Sequence, residues 1–140
     1  MSDLLIGHDE AVVNWVAEQP FGQKFSPPYT AIGLVRDGHL TGAFVLSFKT
    51  RDSVSLSLSG RGCALNRSAW RVIIETVFET WKCSRLESRT SVRNKVVRKN
   101  LPKLGFRFEG KARRLFGRDD GLCFSLTTDD LAGFRKKWRI

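Results

Sequence analysis

The chain has 140 residues, 41% of them hydrophobic and including ten Phe and four Trp, enough apolar mass for one folded domain over residues 1–140. Its three cysteines, Cys63, Cys83 and Cys123, stand far apart with no Cys-x-x-Cys or Cys/His cluster, which supports neither a disulfide framework nor a zinc site. The net charge is +10, the opening Met-Ser-Asp-Leu-Leu-Ile-Gly lacks the features of a signal peptide, and the apolar run 42–48 is too short to cross a bilayer, so a cytoplasmic protein without a membrane partner is expected.

Taken in chain order, residues 8–19 read as a helix: Val12, Val13 and Val16 share a side, Asp9 and Glu10 fill the first turn, and Pro20 stops it. Residues 21–28 form a loop. Two β-rich runs, 30–36 and 40–49, are joined by Asp37-Gly38, a strong hairpin signal. A third strand, 52–59, alternates Val54, Leu56 and Leu58 with Ser53, Ser55, Ser57 and Ser59. Trp70, Ile73, Ile74, Val77, Phe78 and Trp81 then make one apolar stripe at helical spacing, a core helix. A strand follows at 85–92. Asn94 is a good N-cap for a helix that turns Val97, Leu101 and Leu104 inward and Lys95, Lys99 and Lys103 outward, with Gly105 as its left-handed end. Pro102 disfavours helical geometry at Leu101, so this helix is expected to end early or kink. Two last strands, 106–116 and 122–126, turn over 118–121, and a basic tail helix begins near Asp129.

Charge is concentrated rather than spread. Between residues 84 and 118 twelve Lys/Arg face two acids, Glu87 and Glu109, while the rest of the chain is neutral. Such a block suits phosphate groups, whether of a nucleic acid or of a nucleotide cofactor; the alternative is a solvated basic face without a specific partner. The candidate polyanion contacts are Lys95, Lys99, Lys103, Arg107, Lys111, Arg113 and Arg114.

The order helix, three antiparallel strands, helix, strand, helix, hairpin resembles the GCN5-related N-acetyltransferase (GNAT) fold. The segment NKVVRKNLPKLGFRFEG is similar to that family's second cofactor motif, WRVIIETVFETWKCSRLESRT to the central helix and following strand of its ribosomal-protein type, and YTAIGLVRDGHLTGAFV to its first hairpin. The resemblance covers roughly residues 4–127 and is nearest to short phage and prophage proteins of this kind. It implies an α+β fold, with a mixed, mostly antiparallel sheet flanked by helices on both faces. It also implies transfer of an acetyl group from acetyl-CoA to an amine, without a metal. The cofactor would be held by Leu58, Ser59, Arg61, Gly62, Ala64, Asn66 and Arg67 at the third strand's end, and by Asn94 and Arg98 at the later helix.

The diphosphate loop departs from the family pattern. Arg61 is retained, whereas Ala64 and Asn66 replace small residues; Asn66 could cap the helix, and Arg67 could add a bidentate grip. Acid–base residues are scarce. Asp52 is the one carboxylate of the third strand, Leu101 stands where many relatives have a Tyr, and His8, His39, Cys63 and Glu87 each have a plainer structural reading, so no catalytic residue is assigned. Two functions stay open at this level. One is an acetyltransferase with an unidentified amine acceptor, acting as a monomer or homodimer in the cytoplasm (a host's, if phage-encoded). The other is an inactive protein of the same fold that binds nucleic acid or a phage assembly through its basic face.

Overall fold

The computed structural model describes residues 3–60 and 65–140. The elements are β1 (Asp3–Ile6), α1 (Asp9–Ala17), β2 (Tyr29–Arg36), β3 (His39–Ser47), β4 (Ser53–Gly60), α2 (Arg67–Ile74), β5 (Arg85–Ser91), α3 (Lys95–Leu104), β6 (Arg107–Phe116), β7 (Asp119–Thr127) and α4 (Leu131–Trp138). The strands form one seven-stranded sheet in the order β1-β2-β3-β4-β5-β7-β6, antiparallel except where β4 meets β5.

β1 escaped the sequence reading. Four residues are too few to show an alternation, and the strand pairs with β2 at the sheet edge, where it is only half-buried. Between β2 and β3, Asp37 (φ 53°) and Gly38 (φ 78°) both take left-handed geometry, the turn that matches the twist of a two-residue hairpin.

Helices cover both faces of the sheet. On one, Val12, Val13 and Val16 of α1 pack on Ala31, Ala43 and Val45, and Asp9 Oδ1 accepts the Ala31 N–H at 3.1 Å. On the other, α2, α3 and α4 cover the larger core. Trp70 is its centre, fully buried, with the rings of Phe44, Phe106, Phe134 and Trp138 at 5.4, 5.8, 5.7 and 6.0 Å. The expected apolar stripe is there, but α2 loosens into a π-helical turn over Glu75–Thr80, which still buries Val77 and Phe78.

Two expectations need correction. α3 neither ends early nor breaks at Pro102. The proline lies in the last turn, where its ring costs one helical bond, and burial of Leu101 and Leu104 on either side holds the turn. Gly105 (φ 118°) then closes it: Gly105 N–H reaches Pro102 O and Phe106 N–H reaches Leu101 O, both at 3.1 Å. The last hairpin also turns earlier than expected. Phe116 pairs with Asp119, so Gly117 and Arg118 make the turn and β7 starts at Asp119. α4 joins the core rather than trailing from it: Phe134 is 3% exposed, and Trp138 Nε1 donates to Leu104 O at 2.9 Å. No helix among the described residues is long and apolar enough to cross a membrane.

Candidate active site

β4 and β5 run parallel through only three residue pairs, Ser53–Arg85, Val54–Leu86 and Ser55–Glu87, and then part. At the vertex the Ser88 hydroxyl donates to Leu56 O at 2.9 Å, a side chain standing in for the next rung of the ladder. Each strand stays paired with its other neighbour as the two diverge. β4 is paired with β3 as far as Gly42–Gly60, and β5 with β7 as far as Ser91–Gly121, while Val92 N–H is anchored on Asp120 O at 3.0 Å.

The opening is a cleft of about 210 Å³ whose two strand lips are Ser57, Leu58 and Ser59 on β4 and Ser88, Arg89, Thr90 and Ser91 on β5. Backbone groups on such parted edges can accept an extended ligand as though it were an added strand. Asn94 and Val97 close the cleft on the α3 side, where the Asn94 side chain accepts from Val97 N–H at 3.4 Å and the helix directs its positive end. On the α1 side it opens between the α1–β2 loop, through Phe21, Gly22 and Gln23, and the β6–β7 hairpin, through Phe116 and Asp119.

Of the expected cofactor residues, Leu58, Ser59 and Asn94 meet in this cleft. Arg98 is exposed in the first turn of α3 and donates to Val92 O at 2.7 Å. Asn66 caps α2 through an Ala69 N–H bond of 2.9 Å, which engages its side-chain oxygen, and Arg67 is exposed beside it. Arg61, Gly62 and Ala64, with Cys63, lie outside the described residues. A second, mostly apolar crevice of about 290 Å³ lies next to the start of α2, between Leu65, Leu104 and Trp138, with Lys103 and Lys137 at its rim.

None of the acid–base candidates among the described residues lines the cleft. His39 is exposed at the hairpin tip, Leu101 is buried in the core, and Asp52 sits at the opposite end of β4. Glu87 is held between Arg85 at 3.5 Å and Arg89 at 2.9 Å. Next to it the Arg85 guanidinium grips both oxygens of Glu109 and holds that carboxyl down at about 2. Burial pushes the Cys83 thiol up, away from the reactive thiolate. No group of His, Cys, Asp or Glu among the described residues could hold a metal ion.

Of the basic residues, Lys95, Lys99 and Lys103 are exposed on the outer side of α3. Arg107 is paired with Asp130 at 2.9 Å and Lys111 with Asp120 at 3.4 Å, so they are partly neutralised, whereas Arg113 and Arg114 are exposed. The cleft residues missing from the sequence reading include Ser88, Arg89, Thr90, Ser91, Phe21, Phe116 and Asp119. A signal existed for two of them: Ser88 and Thr90 follow Leu86 at the spacing of the buried face, where apolar residues belong. None existed for Asp119, which reaches the cleft only through the hairpin.

By sequence, no protein-family model and no curated protein matches the chain. By structure, a GCN5-related N-acetyltransferase of Brucella melitensis superposes with a TM-score of 0.70 at 18% identity, covering 93% of this chain and 62% of its own. The fold is GNAT-like. A spermidine/spermine N-acetyltransferase of Vibrio cholerae matches with a TM-score of 0.70 at 11% identity, covering 98% of this chain and 99% of its own. The N-acetyltransferase PseH of Campylobacter jejuni, solved with acetyl coenzyme A, gives 0.56 at 16% identity, covering 74% and 70%. The chain spans 62 to 66% of the length of several such structures, and at these identities the likeness is one of fold.

Proposed function

We propose that the chain is an N-acyltransferase that takes an acetyl group from acetyl-CoA and passes it to an amine. The observation that carries the reading is the parting of β4 from β5 into a hydroxyl-lined cleft whose strand edges face one another unpaired. A structural neighbour holding acetyl coenzyme A, and others named as N-acetyltransferases, support it. When bound, acetyl-CoA supplies an acyl group already activated as a thioester. The chain's part is to bind and orient. Residues 57–59 and 89–91 offer backbone donors and acceptors to an extended arm, and the start of α3, with Asn94, offers a positive helix end to anionic groups. The crevice beside Leu65 and Trp138, with its two lysines, has the chemistry to take a nucleotide end.

Proton removal has no dedicated strong base in this reading, so orientation and backbone polarisation carry the reaction. Calorimetric titration with acetyl-CoA tests the proposal, and a parallel melting experiment should show stabilisation that grows with ligand concentration. A folded sample that gives no heat and no shift at millimolar acetyl-CoA rules it out.

One observation favours an added role for the basic face. Lys95, Lys99 and Lys103 follow one another along exposed α3 with no ion-pair partner among the described residues. A polyanion such as nucleic acid, or an acidic protein of a larger assembly, would complement that stripe.

A further inference from the structure

The cleft has two chemically different poles. Toward α3 it is lined by Ser88, Thr90, Asn94 and Val97, and toward α1 by Phe21, Gln23, Phe116 and Asp119. Among the residues that line it, Asp119 is the one carboxylate and Arg89 the one cation. Arg89 is already engaged, its Nε lying 2.9 Å from Glu87 Oε2. Asp119 is held more loosely. Arg93 reaches it at 3.4 Å from a side chain 69% exposed, and the Ser91 hydroxyl at 3.5 Å. Contacts of that length are weak, and the Arg93 one is solvent-exposed as well.

The carboxylate is nevertheless firmly placed. Asp119 pairs with Phe116 across the hairpin, Val92 N–H anchors the next residue's carbonyl, and Ser91 Oγ is fixed by Arg93 N–H at 3.1 Å. Two phenylalanines line the same cleft. Phe116 is its hairpin partner, and Phe21 is 55% exposed with φ at 59°, a left-handed geometry that bulky residues rarely adopt. The turn Gln19–Gly22, with Pro20 second and closed by Gly22 N–H on Gln19 O at 2.7 Å, sets that backbone and leaves the ring exposed at the cleft. A loosely held carboxylate in a cleft that two aromatic rings also line has the chemistry to receive an ammonium ion, through charge and the negative faces of the rings.

We infer that Asp119 selects the acceptor, its carboxylate taking the ammonium group of a cationic amine in the cleft that Phe21 and Phe116 also line. The assignment rests on the acyltransferase reading for the amine's fate, but not for its binding. n-Butylammonium and its neutral counterpart n-butanol, titrated into isotope-labelled protein and followed by amide NMR, separate the two. Butylammonium should move the Ser91, Phe116 and Asp119 signals to saturation, and butanol should not. Asp119→Asn should weaken butylammonium about tenfold or more. Equal responses to the two probes, equal affinity in the variant, or no saturable shift in the cleft each overturn the inference. The comparison of the two probes needs no variant, so it decides even if Asp119→Asn fails to fold. Loss of the acetyl-CoA response alone, with butylammonium still dependent on Asp119, removes the cofactor reading and leaves this assignment standing.

Discussion

Replacing Ser88 with Ala tests whether the vertex of the cleft is held as described. Ser88 is 1% exposed, and its hydroxyl donates to Leu56 O at 2.9 Å where the β4–β5 pairing ends. Alanine fits the space but removes the donor, leaving a carbonyl at a buried position one bond short. The cost of such a loss is about 1–2 kcal/mol, set by desolvation rather than by lost packing. For a chain of this length that corresponds to a fall of roughly 3–7 °C in melting temperature. Urea denaturation followed by circular dichroism measures the change directly, with an unchanged slope indicating that the fold is retained. Ser88→Thr keeps the hydroxyl and serves as the paired control. A loss below about 0.3 kcal/mol for alanine, or an equal loss for both variants, would refute the idea that this hydroxyl pins the strands at their parting.

Glu109, held at about 2 against an ordinary 4.5 by Arg85, should contribute stability above about pH 4.5 that fades as pH falls toward 2. Because its side chain is 38% exposed, the contribution is about 1 kcal/mol or less, and Arg85→Gln should flatten that stretch of the pH–stability curve. Gly60→Ala should destabilise by at least about 2 kcal/mol in the same urea assay. Its φ is 91°, and a new Cβ would lie 2.3 Å from Thr41 O and 2.6 Å from Gly42 Cα, both backbone atoms. If Lys95, Lys99 and Lys103 each meet a duplex phosphate, changing all three to Gln should reduce the log–log salt slope of DNA binding by about three units; absence of binding to DNA and RNA at low salt would leave them a solvated face.

The order of elements was legible because local chemistry writes it along the chain. The stripe around Trp70 gave the core helix, and Asp37-Gly38 gave a hairpin that both residues adopt with positive φ. Asn94 and Gly105 marked the ends of α3 through bonds reaching only a few residues. From that order came the resemblance in fold. Tertiary structure decided what pairs across long separations. Edge strand β1 is defined by β2, and α3 passes through Pro102 because Leu101 and Leu104 are buried by distant residues. The basic block read as uniform, yet Asp130 lies 23 residues from the Arg107 it partly neutralises. Asp119 carries no local mark at all. It enters the cleft because β7 pairs with β5 and carries the last hairpin alongside it, and a distance set by sheet register leaves no periodicity in the chain to read.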